Sequence, residues 1–260
     1  MLFKTLHLEF TGEIALITLS RPEKRNAISP EMITELHAAF TEVEESTARL
    51  LILTGTGKAF CSGVDLEALK TLAEQSPEQQ RADADRLATL FQRIWSFPKP
   101  TIAAVNGHAL AGGCGLATLC DITISVPDAK FGYPEVRIGF LPAVVSIFLI
   151  RQIGEKQARN LLLTGKVIEA PEAHRLGLIT QIVPEKELMI AAQILAANLL
   201  ECSPVSQLMT KKLLHDFAAP EIDRELKLAA AASAQIRTTD DFREGLASFL
   251  EKRAPHWTGK

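Results

Sequence analysis

The sequence predicts an α/β fold of largely parallel strands that gives way to an all-helical C-terminal part. Three observations carry this. Short β-like runs alternate with helical patterns through the first two-thirds of the chain, the arrangement that crossover connections require. The strand signals stop near residue 184, after which only helical patterns follow. The composition is that of a globular protein, with 260 residues, 47% hydrophobic and 23% charged, a length suited to one α/β domain with an appendage.

The elements follow in order. Residues 13–19 (EIALITL) read as a strand that Arg21-Pro22 breaks. Ser29-Pro30-Glu31 reads as a helix start: an N-cap serine, proline at the first helical position and an acid in the first turn. Ile33, Leu36, Phe40 and Val43 then recur at helical spacing. Residues 50–54 (LLILT) have the unbroken apolar character of a buried strand. Pro77 opens a polar helix that runs to about Trp95, with Leu87, Leu90, Phe91 and Ile94 on one face. Residues 101–105 and 121–126 are further strands separated by a glycine-rich segment, and 178–183 is a late one. Beyond Glu185, Ser203-Pro204 is another cap pair and Pro220 is expected to open the next helix. The alanine-rich stretch 226–234 needs a surface to cover it, either the core or another subunit.

Charge and cysteine content narrow the function classes. The net charge of −3 gives no general attraction to nucleic acid or anionic membranes, so neither is expected as a partner. Cys61, Cys114, Cys120 and Cys202 form no CxxC pair and read as free thiols of a reducing compartment. The N-terminal segment has neither a signal-peptide core nor a transit-peptide composition, and no apolar run approaches the ~18 residues of a membrane span. The expected location is the cytoplasm. The GTGK run at residues 55–58 lacks the first glycine and the final Ser/Thr of a P-loop, and position 118 is Thr where a dinucleotide fingerprint needs glycine. The six histidines are scattered, so no metal site is expected.

Three segments have the residue types that chemistry needs. KAFCSGVDL (58–66) places small residues at a strand-to-helix turn. VNGHALAGGCGL (105–116) runs from a strand into an apolar helix, with Gly112-Gly113 at its start. Backbone N–H groups there are unpaired and lie at the positive end of the helix dipole, and two such donors from two loops can hold one oxyanion. Tight helix–sheet packing is the competing explanation for the glycines. FGYPEVRIGFLP (131–142) sets Glu135 among apolar and aromatic residues. Desolvation there favours the neutral carboxyl and suits a general base, whereas composition alone fits a surface glutamate.

Taken in this order, these segments resemble the crotonase superfamily, the enoyl-CoA hydratase/isomerase family. The resemblance begins at RPEKRNAI (21–28), similar to the family's RPxxxNA run. It continues through the three segments above to LLLTGKVIEAPEAHRLGLI and the terminal FLEKRAP, covering nearly the whole chain. It implies a crotonase-like spiral of ββα units over residues 1–200, holding an acyl-CoA site, and a C-terminal helical trimerisation subdomain over 201–260. It also implies homotrimers or dimers of trimers, with coenzyme A entering as part of the substrate and no separate cofactor. By motif, the oxyanion donors are the N–H groups of Val64 and Gly112. The residues matched to CoA binding are Lys24, Arg25, Ala27, Ser62, Asp65 and Leu66, with Phe249 and Lys252 from the C-terminal part, often across a subunit boundary.

The chain departs from the family pattern at one chemically decisive place. Hydratases of the family carry two glutamates, one three residues after the oxyanion glycine and one in the Pro-Glu run. Here the second is Glu135, but the first position is Gly115. Hydration places hydroxide on C3 and a proton on C2, work that two carboxylates share. Moving a double bond from C3–C4 to C2–C3 needs one carboxylate that takes a proton from C2 and returns it at C4. One glutamate with an oxyanion hole therefore favours Δ3–Δ2 isomerisation. Hydration with a substitute acid (His108, Glu67 or Tyr133) and a catalytically weak acyl-CoA-binding subunit are the alternatives. The run AVVSIFLIR (143–151) replaces a more polar family segment and predicts an apolar acyl-facing wall.

Overall fold

Between residues 50 and 132, successive strands alternate between two sheets. The computed structural model describes residues 2–260, with side chains throughout except those of Leu72 and Ala73. Strands β1 (Leu6–Thr11) and β2 (Ile14–Leu19) form an antiparallel hairpin that leads into α1 (Pro30–Glu45). Then β3 (Leu50–Gly55), β5 (Thr101–Val105) and β7 (Ile122–Ser125) extend the first sheet in parallel, and β10 (Gln181–Ile182) closes it. Between them, β4 (Ala59–Cys61), β6 (His108–Leu110) and β8 (Lys130–Gly132) form a second parallel set, to which β9 (Val167–Glu169) adds antiparallel. Each turn of the spiral thus gives one strand to each sheet, the crotonase arrangement the resemblance implies.

The helices fill the connections. Helix α2 (Leu66–Ala73) and α3 (Pro77–Trp95) follow β4, and α4 (Gly112–Thr118) follows β6. Ser29 caps α1 by accepting from Met32 N, and a reciprocal Ser76–Gln79 box starts α3. Strands β3 and β5 are covered on both faces, as a central parallel sheet requires. Leu90, Phe91 and Ile94 of α3 are fully buried.

The strand expectations change in three ways. Strands β4, β6, β8 and β9, the whole second sheet, are additional to the runs read from sequence, each being only three residues long. The hairpin partner β1 is additional to the strands read from sequence, because its outward residues His7, Glu9 and Thr11 hide the strand pattern; the signal was the two-residue turn Gly12-Glu13, with Gly12 at φ +59. The late strand shrinks to Gln181–Ile182, since Leu178 and Ile179 are buried in the turn after α7 (Ala170–Arg175) instead of pairing with β7.

Helices α5 (Ala143–Ile153) and α6 (Glu155–Thr164) come before β9, and beyond residue 184 the chain is helical, as expected, through α8 (Leu188–Leu200), α9 (Pro204–Ile236) and α10 (Asp240–Leu250). Ser203 caps α9, but Pro220 does not start a new helix: it lies inside α9. An interior proline removes one helical hydrogen bond and costs about 3 kcal/mol. Tertiary contacts flank it and carry the helix through. Arg151 pairs with Glu221 (3.0 Å) and Glu225 (2.8 Å), Gln92 donates to Asp223 (2.6 Å), and Lys211 pairs with Asp121 (2.5 Å). Beyond the proline, Ile222, Leu226, Ala229 and Ala230 are buried against α3 and α5 of the same chain. Before it, Leu208, Met209, Leu213, Leu214 and Phe217 are exposed. Among the described residues, no single helix is long and apolar enough to cross a membrane.

Candidate active site

The three chemistry-bearing segments leave the ends of three neighbouring strands. Parallel β4, β6 and β8 stand side by side, with Cys61 beside Ala109 and Leu110 beside Gly132. Their carboxyl ends point the same way, so residues 62–64, 111–112 and 133–135 emerge along one rim. That rim is where ligands of parallel α/β sheets gather. Val64, Gly112 and Glu135 all line one cavity of about 710 Å3 there, a volume in the range of small-molecule sites.

Backbone geometry brings the first two segments together. Ile28 N donates to Gly63 O (2.8 Å) and Asp65 N to Ile28 O (2.9 Å), so the 62–65 turn is tied to residue 28. A Cβ on Gly63 would stand 2.7 Å from Ala111 Cβ and 3.4 Å from Gly112 N, which measures how closely the turn abuts the start of α4. Ala111 adopts φ 51, ψ −129, a costly conformation for a residue with a Cβ, and it caps α4. The packing explanation of the glycine pair holds for Gly113, whose Cβ would meet Cys61 O at 2.2 Å. Gly112 instead meets the cavity, where a Cβ would have the Ile28 Cδ1 tip nearest, at 3.3 Å.

Glu135 sits in the second position of a short 3-10 helix, Pro134–Ile138, and is 7% exposed. It is not the surface glutamate that composition alone suggested. Its Oε2 is buried without a hydrogen-bond partner among the described residues. Burial pushes its carboxyl up to about 8, offset in part by its own backbone N–H. A carboxyl that titrates near neutral pH beside an apolar cavity is matched to proton transfer.

Of the residues matched to CoA binding, Lys24, Arg25, Ala27, Ser62, Leu66 and Phe249 line this cavity, and Phe249 does so within its own chain. Asp65 also lines it, yet its carboxylate is engaged elsewhere: Arg21 Nη2 donates to it at 3.0 Å and Glu67 N at 3.1 Å, so it anchors the start of α2. Lys252 is exposed and lies outside the cavity lining. The RPxxxNA run has a structural cause. Asn26, fully buried at φ 54, donates to Thr56 O and Ala59 O (2.9 Å each) and accepts from Arg21 N (2.8 Å), pinning the loop that carries residues 24–27.

The substitute acids separate clearly. Tyr133 is buried outside the cavity lining, and burial holds its phenol well above the usual range. His108 is exposed and also outside the lining. Glu67 lines the cavity but is mostly exposed and pairs with Lys24 at 2.7 Å. Ala143, Val144 and Val145 of α5 form part of the wall. Sequence reasoning passed over Arg137 and Ser233, which line the cavity too; nothing in their local pattern separates them from ordinary helix residues. It placed Phe91 on a core face, and the ring serves both the core and the cavity.

A spiral of alternating strands with an acyl-sized cavity at the ends of β4, β6 and β8 defines a crotonase-fold protein. Residues 9–260 match the family profile described as enoyl-CoA hydratase/isomerase. A protein of Thermus thermophilus is 42% identical over 247 residues, spanning 95% of this chain and 98% of its own. Crotonyl-CoA hydratase of Syntrophomonas wolfei is 34% identical over the full length of both chains. The crystal structure of an enoyl-CoA hydratase from Bacillus halodurans superposes with a TM-score of 0.89 at 32% identity, covering 94% of this chain and 100% of that one. The chain belongs to the enoyl-CoA hydratase/isomerase family and is an enzyme acting on acyl-CoA thioesters.

Proposed function

We propose that this enzyme moves the double bond of a 3-enoyl-CoA to the 2-position, with Glu135 as its single acid/base. The observation that carries the reading is a buried carboxylate with an unpartnered oxygen, raised to about 8, on a cavity where position 115 is glycine and the other buried carboxylate, Asp65, is paired with Arg21. The ionised Glu135 takes a proton from C2, and the C–H electron pair delocalises into the thioester as a dienolate. The N–H groups of Val64 and Gly112 hold the charge on oxygen, an interaction whose loss costs about 3–4 kcal/mol in comparable sites. The protonated Glu135 returns the proton to C4 and the electrons reform a double bond between C2 and C3. Atoms balance with no water consumed. Lys24, Arg25, Ala27, Ser62, Leu66 and Phe249 receive the CoA part, while Asp65 positions the turn that bears Val64.

The name of the Syntrophomonas relative favours hydration as a second reading. The two are separated by paired assays on 3-hexenoyl-CoA and crotonyl-CoA, with Glu135→Gln beside the parent. Isomerisation without comparable hydration, falling by at least about 100-fold in Glu135→Gln at unchanged melting temperature, is the expected result. Efficient hydration sinks the isomerase assignment. Binding of both thioesters without turnover marks an acyl-CoA-binding subunit.

The exposed apolar residues of α9 support assembly into trimers or dimers of trimers. Four free cysteines and bacterial relatives support a cytoplasmic setting.

A further inference from the structure

We infer that Phe91 and Val145 determine the reaction specificity of this site: they fill the space that a carboxylate at position 115 would need and present a dry wall to the acyl chain. The inference rests on the isomerase reading and adds the physical device behind it. A Cβ on Gly115 would stand 2.5 Å from Phe91 Cε1 and 2.8 Å from Val145 Cγ1. Both distances are closer than real contacts allow, so even alanine at 115 requires both side chains to give way. The Phe91 ring also reaches the start of α4, its Cζ lying 3.7 Å from where a Gly112 Cβ would be. One ring therefore covers the helix from its oxyanion glycine to the next turn.

The same two side chains line the cavity that holds Glu135, whereas Gly115 lies outside the lining. They stand between position 115 and the cavity. The missing carboxylate is thus not an empty place that a side chain can simply re-enter.

The wall is held rigidly. Phe91 is fully buried, and α3 is fastened to α9 by Gln92 donating to Asp223 (2.6 Å) and to the residue just after α9 by the buried Arg237–Asp83 pair (2.9 Å). Leu87, Ala143 and Val144 also line the cavity and have no polar side-chain atoms. An ordered water needs two to four polar partners, which these side chains do not supply. Ser233, a buried hydroxyl on the same cavity, is the competing holder for such a water.

The test compares the parent with Gly115→Glu, Phe91→Ala, Ser233→Ala and the triple variant Phe91→Ala/Val145→Ala/Gly115→Glu. Melting temperature, crotonyl-CoA hydration and 3-enoyl-CoA isomerisation across chain lengths are read for each. Gly115→Glu alone is expected to melt lower than the parent and gain no hydration. The triple variant is expected to gain hydration by about 100-fold over the parent, the scale of one added acid/base group. Phe91→Ala is expected to shift kcat/KM toward longer or branched 3-enoyl thioesters by at least about tenfold. Gly115→Glu that melts like the parent and hydrates overturns the inference. So does a folded triple variant with no gain. If the triple variant does not fold, an unchanged chain-length profile in Phe91→Ala overturns it and a shifted profile supports it. Loss of the parent's residual hydration in Ser233→Ala assigns the water to that hydroxyl and overturns the dry wall. A parent that hydrates efficiently defeats the isomerase reading itself, and the melting and chain-length arms still decide whether Phe91 and Val145 fill position 115.

Discussion

At the scale of single residues, the raised carboxyl of Glu135, as the proposed base, is expected to tie activity and stability to pH in opposite directions. Its carboxyl is raised by burial to about 8, so at neutral pH the resting enzyme holds most of this group in the neutral form. The base form grows as pH rises, and kcat/KM is expected to climb through an acidic limb with an apparent pKa near 8. Stability runs the other way. The folded state binds this proton more tightly than the unfolded chain, so the associated stabilisation is complete below the ordinary carboxyl range and disappears as pH rises through about 8. Thermal melts from pH 5 to 9 are expected to show this decline, and Glu135→Gln is expected to flatten it. A pH-independent difference between the two proteins would contradict the buried, proton-binding environment. The three buried thiols stand in contrast: burial pushes Cys61, Cys114 and Cys120 up to about 12, which leaves them as packing groups.

At the scale of elements, the site depends on how the turn after β4 meets the start of α4. Gly63 has φ +92 and its Cβ would collide with Ala111. Gly63→Ala is expected to lose about 1–3 kcal/mol of stability through backbone strain. It is also expected to lose about 100-fold in kcat if the proposed oxyanion donors shift, because a displacement of an ångström in such a group has that cost. Wild-type turnover in a folded Gly63→Ala would show that the turn geometry is not critical. Elements with strong local signals were legible in the sequence: the capped start of α1, the proline that opens α3, the apolar runs of β3 and β5, and the glycine pair at α4. Elements made by tertiary contact were not. Edge strand β1 has an exposed polar face, and α9 passes through Pro220 because ion pairs on either side hold it. The candidate site was legible as three segments, but their meeting was not, because Cys61 and Ala109 become neighbours only through the β4–β6 ladder. Asp65 matched a binding motif by type, yet the Arg21 partner that gives it an anchoring role lies 44 positions away in the chain.

At the scale of the whole molecule, the helical part serves two surfaces. Helix α10 packs directly on the 3-10 helix that carries Glu135: a Cβ on Gly245 would stand 2.3 Å from Ile138 C and O, and Phe242 stacks on Phe140 at 5.5 Å. Phe249 and Ser233 complete the cavity of their own chain. Helix α9 meanwhile leaves Met209, Leu214 and Phe217 uncovered, and Ile190 and Ile194 of α8 are exposed as well. Sedimentation equilibrium is expected to return the mass of three or six chains, and Leu214→Glu/Phe217→Glu is expected to lower it. A parent protein that sediments as a single chain of 28.4 kDa would contradict the assembly.

The short ladder of β4, β6 and β8 acts as an indexing frame. Two backbone N–H groups and one carboxylate come from stretches separated by about 50 and 20 residues, yet a few shared backbone hydrogen bonds fix their relative positions. That frame is built from main chain, so it is indifferent to which side chains border it. On the proposed mechanism, replacing a wall residue such as Phe91 or Val145 is expected to change which reaction follows enolisation and to leave Val64, Gly112 and Glu135 in register. Divergence of chemistry within such a scaffold is therefore expected to proceed through the helices that cover the rim, with the strands that define it left alone.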